Sequence, residues 1–175
     1  LPNTSPANWS SRSGFEAARK AVRLGQVSQM ERRYTFSDQS FIRRKGLRSK
    51  LRILVIHDDP LAREGLQRLI NTQPDLDVVG LVASGWNALQ RAYDLQPDLA
   101  VLDVSSPELG VEAIVLLRRA CPSLKILALI TGEEEHGRQL LAAGASGYLS
   151  RPIAEPIFLQ ALRDADRRAR LKGMD

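Results

Sequence analysis

Cysteine is almost missing from this chain of 175 residues, and histidine is scarce. With Cys121 as the one thiol, no internal disulfide and no cysteine zinc cluster can form. It lies between an apparent helix end and Pro122 and reads as a small buried apolar side chain. Two histidines, His57 and His136, are too few for a histidine-rich metal site. Long apolar runs are missing too, falling far short of the roughly 20 residues that span a bilayer. No membrane span is expected, and the chain reads as cytoplasmic. No apolar signal core follows Leu1, which leaves a native and a processed start both open.

Aromatics are few and unevenly spread. Five of the nine (Trp9, Phe15, Tyr34, Phe36, Phe41) fall in the first 50 residues. The charge is uneven as well. Residues 1–50 hold eleven Lys or Arg against three acids, and the remainder holds fourteen against seventeen, so a basic arm precedes a mildly acidic body. Leu1 to Ser13 has no hydrophobic period and should be flexible alone. Residues 15–24 have helical composition but are marginal as an isolated helix. Then come basic residues interleaved with aromatics: Arg32, Arg33, Tyr34 and Phe36, then Phe41, Arg43, Arg44 and Lys45. This pattern suits a segment that folds onto an acidic protein surface or, as a weaker reading, onto nucleic acid. A plain solvated basic extension is the bland alternative, and a transit peptide a minor one.

From Leu51 onward, apolar runs alternate with helical periodicity. Strands are expected at Leu51–Ile56, Asp77–Val82, Leu99–Leu102, Lys125–Ile130 and Gly147–Leu149. Helices are expected from Pro60, over Trp86–Leu95 and Glu108–Ala120, from about Glu134 to Ala143, and from about Ala154 to Arg170. Leu61, Leu66, Leu69 and Ile70 give the first helix its apolar side. Gly144 is a natural left-handed stop for the fourth. Five strands alternating with five helices imply an α/β fold with a doubly wound parallel sheet, because right-handed crossovers cover both faces. The expected organisation is an extension over residues 1–50, one domain over 51–170 and a tail over 171–175.

The stretches LVIHDDPLAREGL (residues 54–66), PDLAVLDV (97–104) and AGASGYL (143–149), together with Pro122 to Leu127, resemble the receiver domain of response regulators, most closely the LuxR-type subfamily. The resemblance implies a flavodoxin-like strand order of 2-1-3-4-5 and a site at the carboxyl ends of the strands. In that family an aspartate ending strand three accepts a phosphoryl group, and an acid pair after strand one helps bind Mg2+. A hydroxyl residue ends strand four and a lysine ends strand five. Carried over, Asp103 takes the acceptor position. Asp58 and Asp103, with the carbonyl of Ser105, take the metal positions should the pocket function. Tyr148 takes the place of a rotating aromatic, and Arg151-Pro152 that of a Lys-Pro step whose peptide bond is often cis.

Departures accompany these matches. One acid of the pair falls on His57, and neutral imidazole is a poorer Mg2+ ligand than oxygen. Asp59 compensates only if the loop shifts by one residue, and otherwise caps the following helix. Counting from Pro122 puts Ile130 on the hydroxyl position, with Thr131 substituting only through a bulge. Arg151 keeps the lysine's charge in a wide planar fork and could pair with Asp103 directly. The loop from Ser105 to Gly110 is one residue short for the family. Glu133 to Glu135, His136, Trp86 and the arginines at 167, 168 and 170 read as ordinary surface or packing.

The expected function is a non-enzymatic, atypical receiver that signals or scaffolds with little phosphorylation and no resident cofactor. It would bind a protein partner or large complex through residues 1–50. A possible homodimer would use helix four, strand five and helix five. The competing expectation is a working receiver that takes a phosphoryl group on Asp103 with Mg2+, partnered by a histidine kinase. No helix-turn-helix pattern follows the receiver-like stretch, so sequence-specific DNA binding is not expected of these residues.

Overall fold

Alternating side chains along five strands feed two separate cores, one on each face of a single sheet. The computed structural model describes residues 50–83, 86–104, 107–132 and 134–172. The basic arm with its candidate helix at 15–24, and the pocket residue Ser105, lie outside the described residues. The strands are β1 (Leu51–Ile56), β2 (Leu76–Val82), β3 (Leu99–Val104), β4 (Lys125–Ile130) and β5 (Gly147–Ser150). The helices are α1 (Pro60–Asn71), α2 (Trp86–Leu95), α3 (Pro107–Ala120), α4 (Glu134–Ala142) and α5 (Glu155–Lys172). All strand pairs are parallel, in the order β2-β1-β3-β4-β5, which is the topology expected from the sequence. Among the described residues no helix is long and apolar enough to cross a membrane.

Leu54, Ile56, Ala100, Leu102, Ala128 and Ile130 point to the face covered by α2, α3 and α4, where they meet Ala88, Leu89, Ile114, Leu117 and Leu140. Their neighbours Ile53, Val55, Leu99, Val101, Leu127 and Leu129 point to the other face, against Ile70 of α1 and Phe158, Leu159 and Leu162 of α5. Strands covered on both faces explain the unbroken apolar runs. β2 begins one residue earlier than expected, at Leu76, β5 ends one later, at Ser150, and α5 runs to Lys172, past the expected domain end at 170. Two further expectations change for clear physical reasons. β3 continues through Asp103 and Val104, because the backbone pairs Asp103 with Leu129 and Val104 with Ile130 whatever the side chains are. Leu61 does not join the apolar side of α1: it is 78% exposed, in the first turn beyond the edge of the core.

Polar anchors tie helices to the end of the sheet where the strands begin. Lys125, the first residue of β4, is buried, and its Nζ donates to the Asp166 Oδ1 at 2.7 Å and to the Asp166 carbonyl at 3.0 Å. Arg163 donates Nε and Nη2 to the two oxygens of Asp75 at 2.7 and 2.9 Å, and Nη2 also reaches the Gln73 Oε1 at 3.0 Å. Gly144 has φ +111°, which residues with a Cβ rarely adopt, and it ends the turn that closes α4. Cys121 is buried, and burial pushes its thiol up to about 11, so it is a neutral packing group near pH 7.

Candidate functional site

Side-chain alternation decides what can meet at the carboxyl end of the sheet. Asp103 is in phase with Leu99 and Val101, and His57 with Ile53 and Val55, all of which face α1 and α5. The His57 amide donates to the Val82 carbonyl at 3.1 Å, and the Arg151 amide to the Ile130 carbonyl at 2.9 Å, so both residues continue the ladder past their strands. In phase with Leu149, Arg151 reaches the same side. The three side chains converge.

An Arg151 Nη2 donates to the Asp103 Oδ1 in a close ion pair. The His57 Nε2 faces the Asp103 Oδ2 at 3.6 Å and lies 3.4 Å from the Arg151 Nη2. The other ring nitrogen fixes the tautomer. The Asp59 amide donates to the His57 Nδ1 at 3.1 Å, so Nδ1 carries the lone pair and the hydrogen of the neutral ring sits on Nε2. The guanidinium therefore donates to the carboxylate, while the imidazole N–H faces the other carboxylate oxygen from beyond hydrogen-bond distance. The Asp103 side chain is 17% exposed and that of Arg151 34%, so the pair is sheltered but open on the arginine side.

Other candidates are placed differently from the sequence reading. Asp59 caps α1, its Oδ1 accepting from the Leu61 amide at 2.8 Å. Ile130 is buried in the core beneath α2, α3 and α4, on the face opposite Asp103. Counting from Pro122 assigned it the right level but the wrong side. β4 carries no bulge in its pairings. Thr131, one step beyond it, is exposed and in phase with Leu129 and Asp103. Tyr148 is half-buried against α4, and His136, expected to be exposed, is half-buried. The Arg151-Pro152 bond is cis. One contributor was missed: Arg63 Nη1 donates to the carbonyls of His57 and Asp58, the latter at 3.0 Å, and so braces the β1–α1 loop. The signal for it was a long donor one turn into the helix that follows a polar loop.

Mg2+ requires near-octahedral oxygen coordination. Here one acid of the expected pair is replaced by a ring that presents N–H, and both Asp103 oxygens face protein donors. Among the described residues, no three His, Cys, Asp or Glu side chains converge as a metal site. His57 thus does not fit the ion as a ligand, while Asp58 and Asp103 remain carboxylates of the kind it takes, and Ser105 lies outside the described residues.

A doubly wound sheet with a carboxylate at the end of its middle strand defines a receiver-type α/β module. The chain belongs to the response regulator receiver domain family, whose profile matches residues 53–163. It is 36% identical over 115 residues to the response regulator GacA of Pseudomonas viridiflava, covering 65% of this chain and 54% of that protein. It is also 36% identical over 115 residues to the nitrate/nitrite response regulator protein NarL of Escherichia coli, covering 65% and 53%. The chain thus spans about half the length of these curated relatives. Among solved structures, the signal receiver domain of the putative response regulator NarL from Mycobacterium tuberculosis superposes with a TM-score of 0.63 at 28% identity, covering 69% of this chain and 98% of that one. A LuxR-family two-component response regulator from Aurantimonas gives 0.62 at 30% identity, covering 66% and 84%.

Proposed function

We propose that this chain is the receiver module of a two-component regulator, with Asp103 as the residue that takes the phosphoryl group and a histidine kinase as its source. The carrying observation is the sheltered Asp103 carboxylate at the carboxyl end of β3, the middle strand of the sheet. The names of the relatives, response regulators including GacA and NarL, favour this reading over a pure scaffold. In it Asp103 is modified rather than turning over a substrate, so the module is a switch and not an enzyme. Its output face comprises α4, β5 and α5, where Leu141 and Ile157 are exposed, and serves a protein partner or a second copy. The basic arm at residues 1–50 is proposed as a tether to an acidic partner or larger complex.

A second reading, a receiver that signals or scaffolds without phosphorylation, is favoured by His57 in the place of an acid and by the direct pairing of Arg151 with Asp103. Incubation with a small acyl phosphate and Mg2+, followed by intact mass, separates the two. Stoichiometric modification that is lost in Asp103→Asn supports the acceptor reading. An unmodified protein leaves the scaffold.

A further inference from the structure

We infer that His57 serves the acceptor site through its Nδ1 and not as a metal ligand: together with Arg63 it fixes the β1–α1 loop, so that Asp58 is held ready for the cation that assists Asp103. The inference rests on Asp103 being the acceptor. It makes His57 and Arg63 positioning residues.

Only residues 57–59 join β1 to α1. A connection so short cannot place all its backbone groups in the sheet and helix ladders, and each must still find a partner. The His57 amide extends the ladder onto the Val82 carbonyl at 3.1 Å, and the Asp59 carbonyl accepts from the Arg63 amide at 3.1 Å. Between these fixed ends two side chains complete the set. His57 Nδ1 accepts from the Asp59 amide at 3.1 Å, and Arg63 Nη1 donates to the carbonyls of His57 and Asp58, the latter at 3.0 Å. Asp58 is thus gripped twice: one bond spans it from residue 57 to residue 59, and another holds its own carbonyl.

The spacing of the sequence makes both grips possible. Helical side chains lean toward the N-terminus, so Arg63, one turn into α1, reaches back over the loop that precedes it. A cation near that end opposes the helix dipole, a cost that bonds to two carbonyls offset. His57 and Asp59, two positions apart, close a turn of the kind that Asn and Asp side chains make. The neutral ring closes it without adding a third negative charge beside Asp58 and Asp103. Its Nε2 stands 3.6 Å from the Asp103 Oδ2, beyond hydrogen-bond distance, so Nδ1 is the atom through which the ring acts on the loop. A carboxylate on a loop already ordered in this way does not have to be ordered when a cation binds, which is how a rigid supporting shell raises affinity. The replacement of an acid by His57 therefore removes one candidate ligand and strengthens the mounting of the next.

The test contrasts two substitutions in the full chain. Asn places an acceptor oxygen about where Nδ1 stands, whereas Gln carries its amide out to the level of Nε2, and neither adds a charge. Mg2+ is titrated against the amide NMR shifts of residues 57–59. His57→Asn is expected to bind Mg2+ about tenfold more tightly than His57→Gln, and Arg63→Met, which keeps the stem and removes the donor, to bind it about tenfold more weakly than the unaltered chain. Without metal, nitrogen NMR of the His57 ring is expected to show the hydrogen on Nε2. Equal affinities in the Asn and Gln variants, an unchanged affinity in Arg63→Met, a ring hydrogen on Nδ1, or an unaltered chain with no saturable Mg2+ shifts each overturn the inference. Variants are compared only where urea unfolding stays cooperative, and Arg63→Met decides should neither His57 variant fold. Modification by acetyl phosphate, lost in Asp103→Asn and followed by intact mass, reports separately on the acceptor reading. That reading stands if modification occurs while the affinities fail to separate, and a chain that is never modified overturns both.

Discussion

Gly137 shows how one missing methyl group shapes the output face. A Cβ built there would lie 2.2 to 2.5 Å from three atoms of the Tyr148 ring, so the ring rests where a side chain would otherwise be. Alanine in a helix interior gains about 1 kcal/mol over glycine in propensity, but overpacking costs typically 1–3 kcal/mol. Gly137→Ala is therefore expected to lose about 1 kcal/mol in urea unfolding and to displace the Tyr148 ring resonances in NMR spectra. Unchanged ring signals would show that α4 yields instead. At the same scale, the sequence made the replacement of an acid by His57 visible, but not which ring nitrogen carries hydrogen. That depends on where the Asp59 amide points, a property of the folded loop. Ile130 differs from its expected place for a related reason: counting residues gives the height along a strand, whereas the face is set by the phase of the pleat.

Element boundaries were largely legible because each is punctuated locally: Pro60 opens α1, Gly144 closes the turn after α4, and Pro122 follows α3. Polarity at Asp103 hides the last two residues of β3 from the sequence pattern, yet their ladder to β4 is built by the backbone. Contacts between distant elements left no such trace. Arg163 of α5 and Asp75 before β2 lie 88 positions apart, and their pairing follows only once the helix is laid on the sheet. The Arg163 hydrogen bond holds the Asp75 carboxyl below its ordinary value of 3.8. The folded state therefore binds this proton less readily than the unfolded one. The resulting stabilisation is full above the unfolded value and fades as pH falls through the lowered folded value. Asp75→Asn is expected to flatten the loss of stability between pH 5 and pH 3 in urea titrations, while an equally steep acid limb would assign that limb to other carboxylates.

Over the whole molecule, both cores close with residues from β1 to α5. A chain starting at Lys50 is accordingly expected to unfold in one transition at the urea midpoint of the full chain, while losing partner capture through the basic arm. A lowered midpoint would show that residues 1–49 contribute to the fold. Fold and site differ in how far they could be read because alternation repeats along every strand, whereas the site depends on three side chains from three strands meeting once.

The two anchors of α5, Arg163 to Asp75 and Asp166 to Lys125, both grip its later turns at the edge where the strands begin. Ahead of those anchors, Phe158, Leu159 and Leu162 seat the helix in the core. Apolar contact is non-directional and tolerates sliding, whereas ion-paired hydrogen bonds fix direction and distance. The anchors therefore set the register of the helix along the sheet, and with it the place at which Ile157, 59% exposed, stands on the surface.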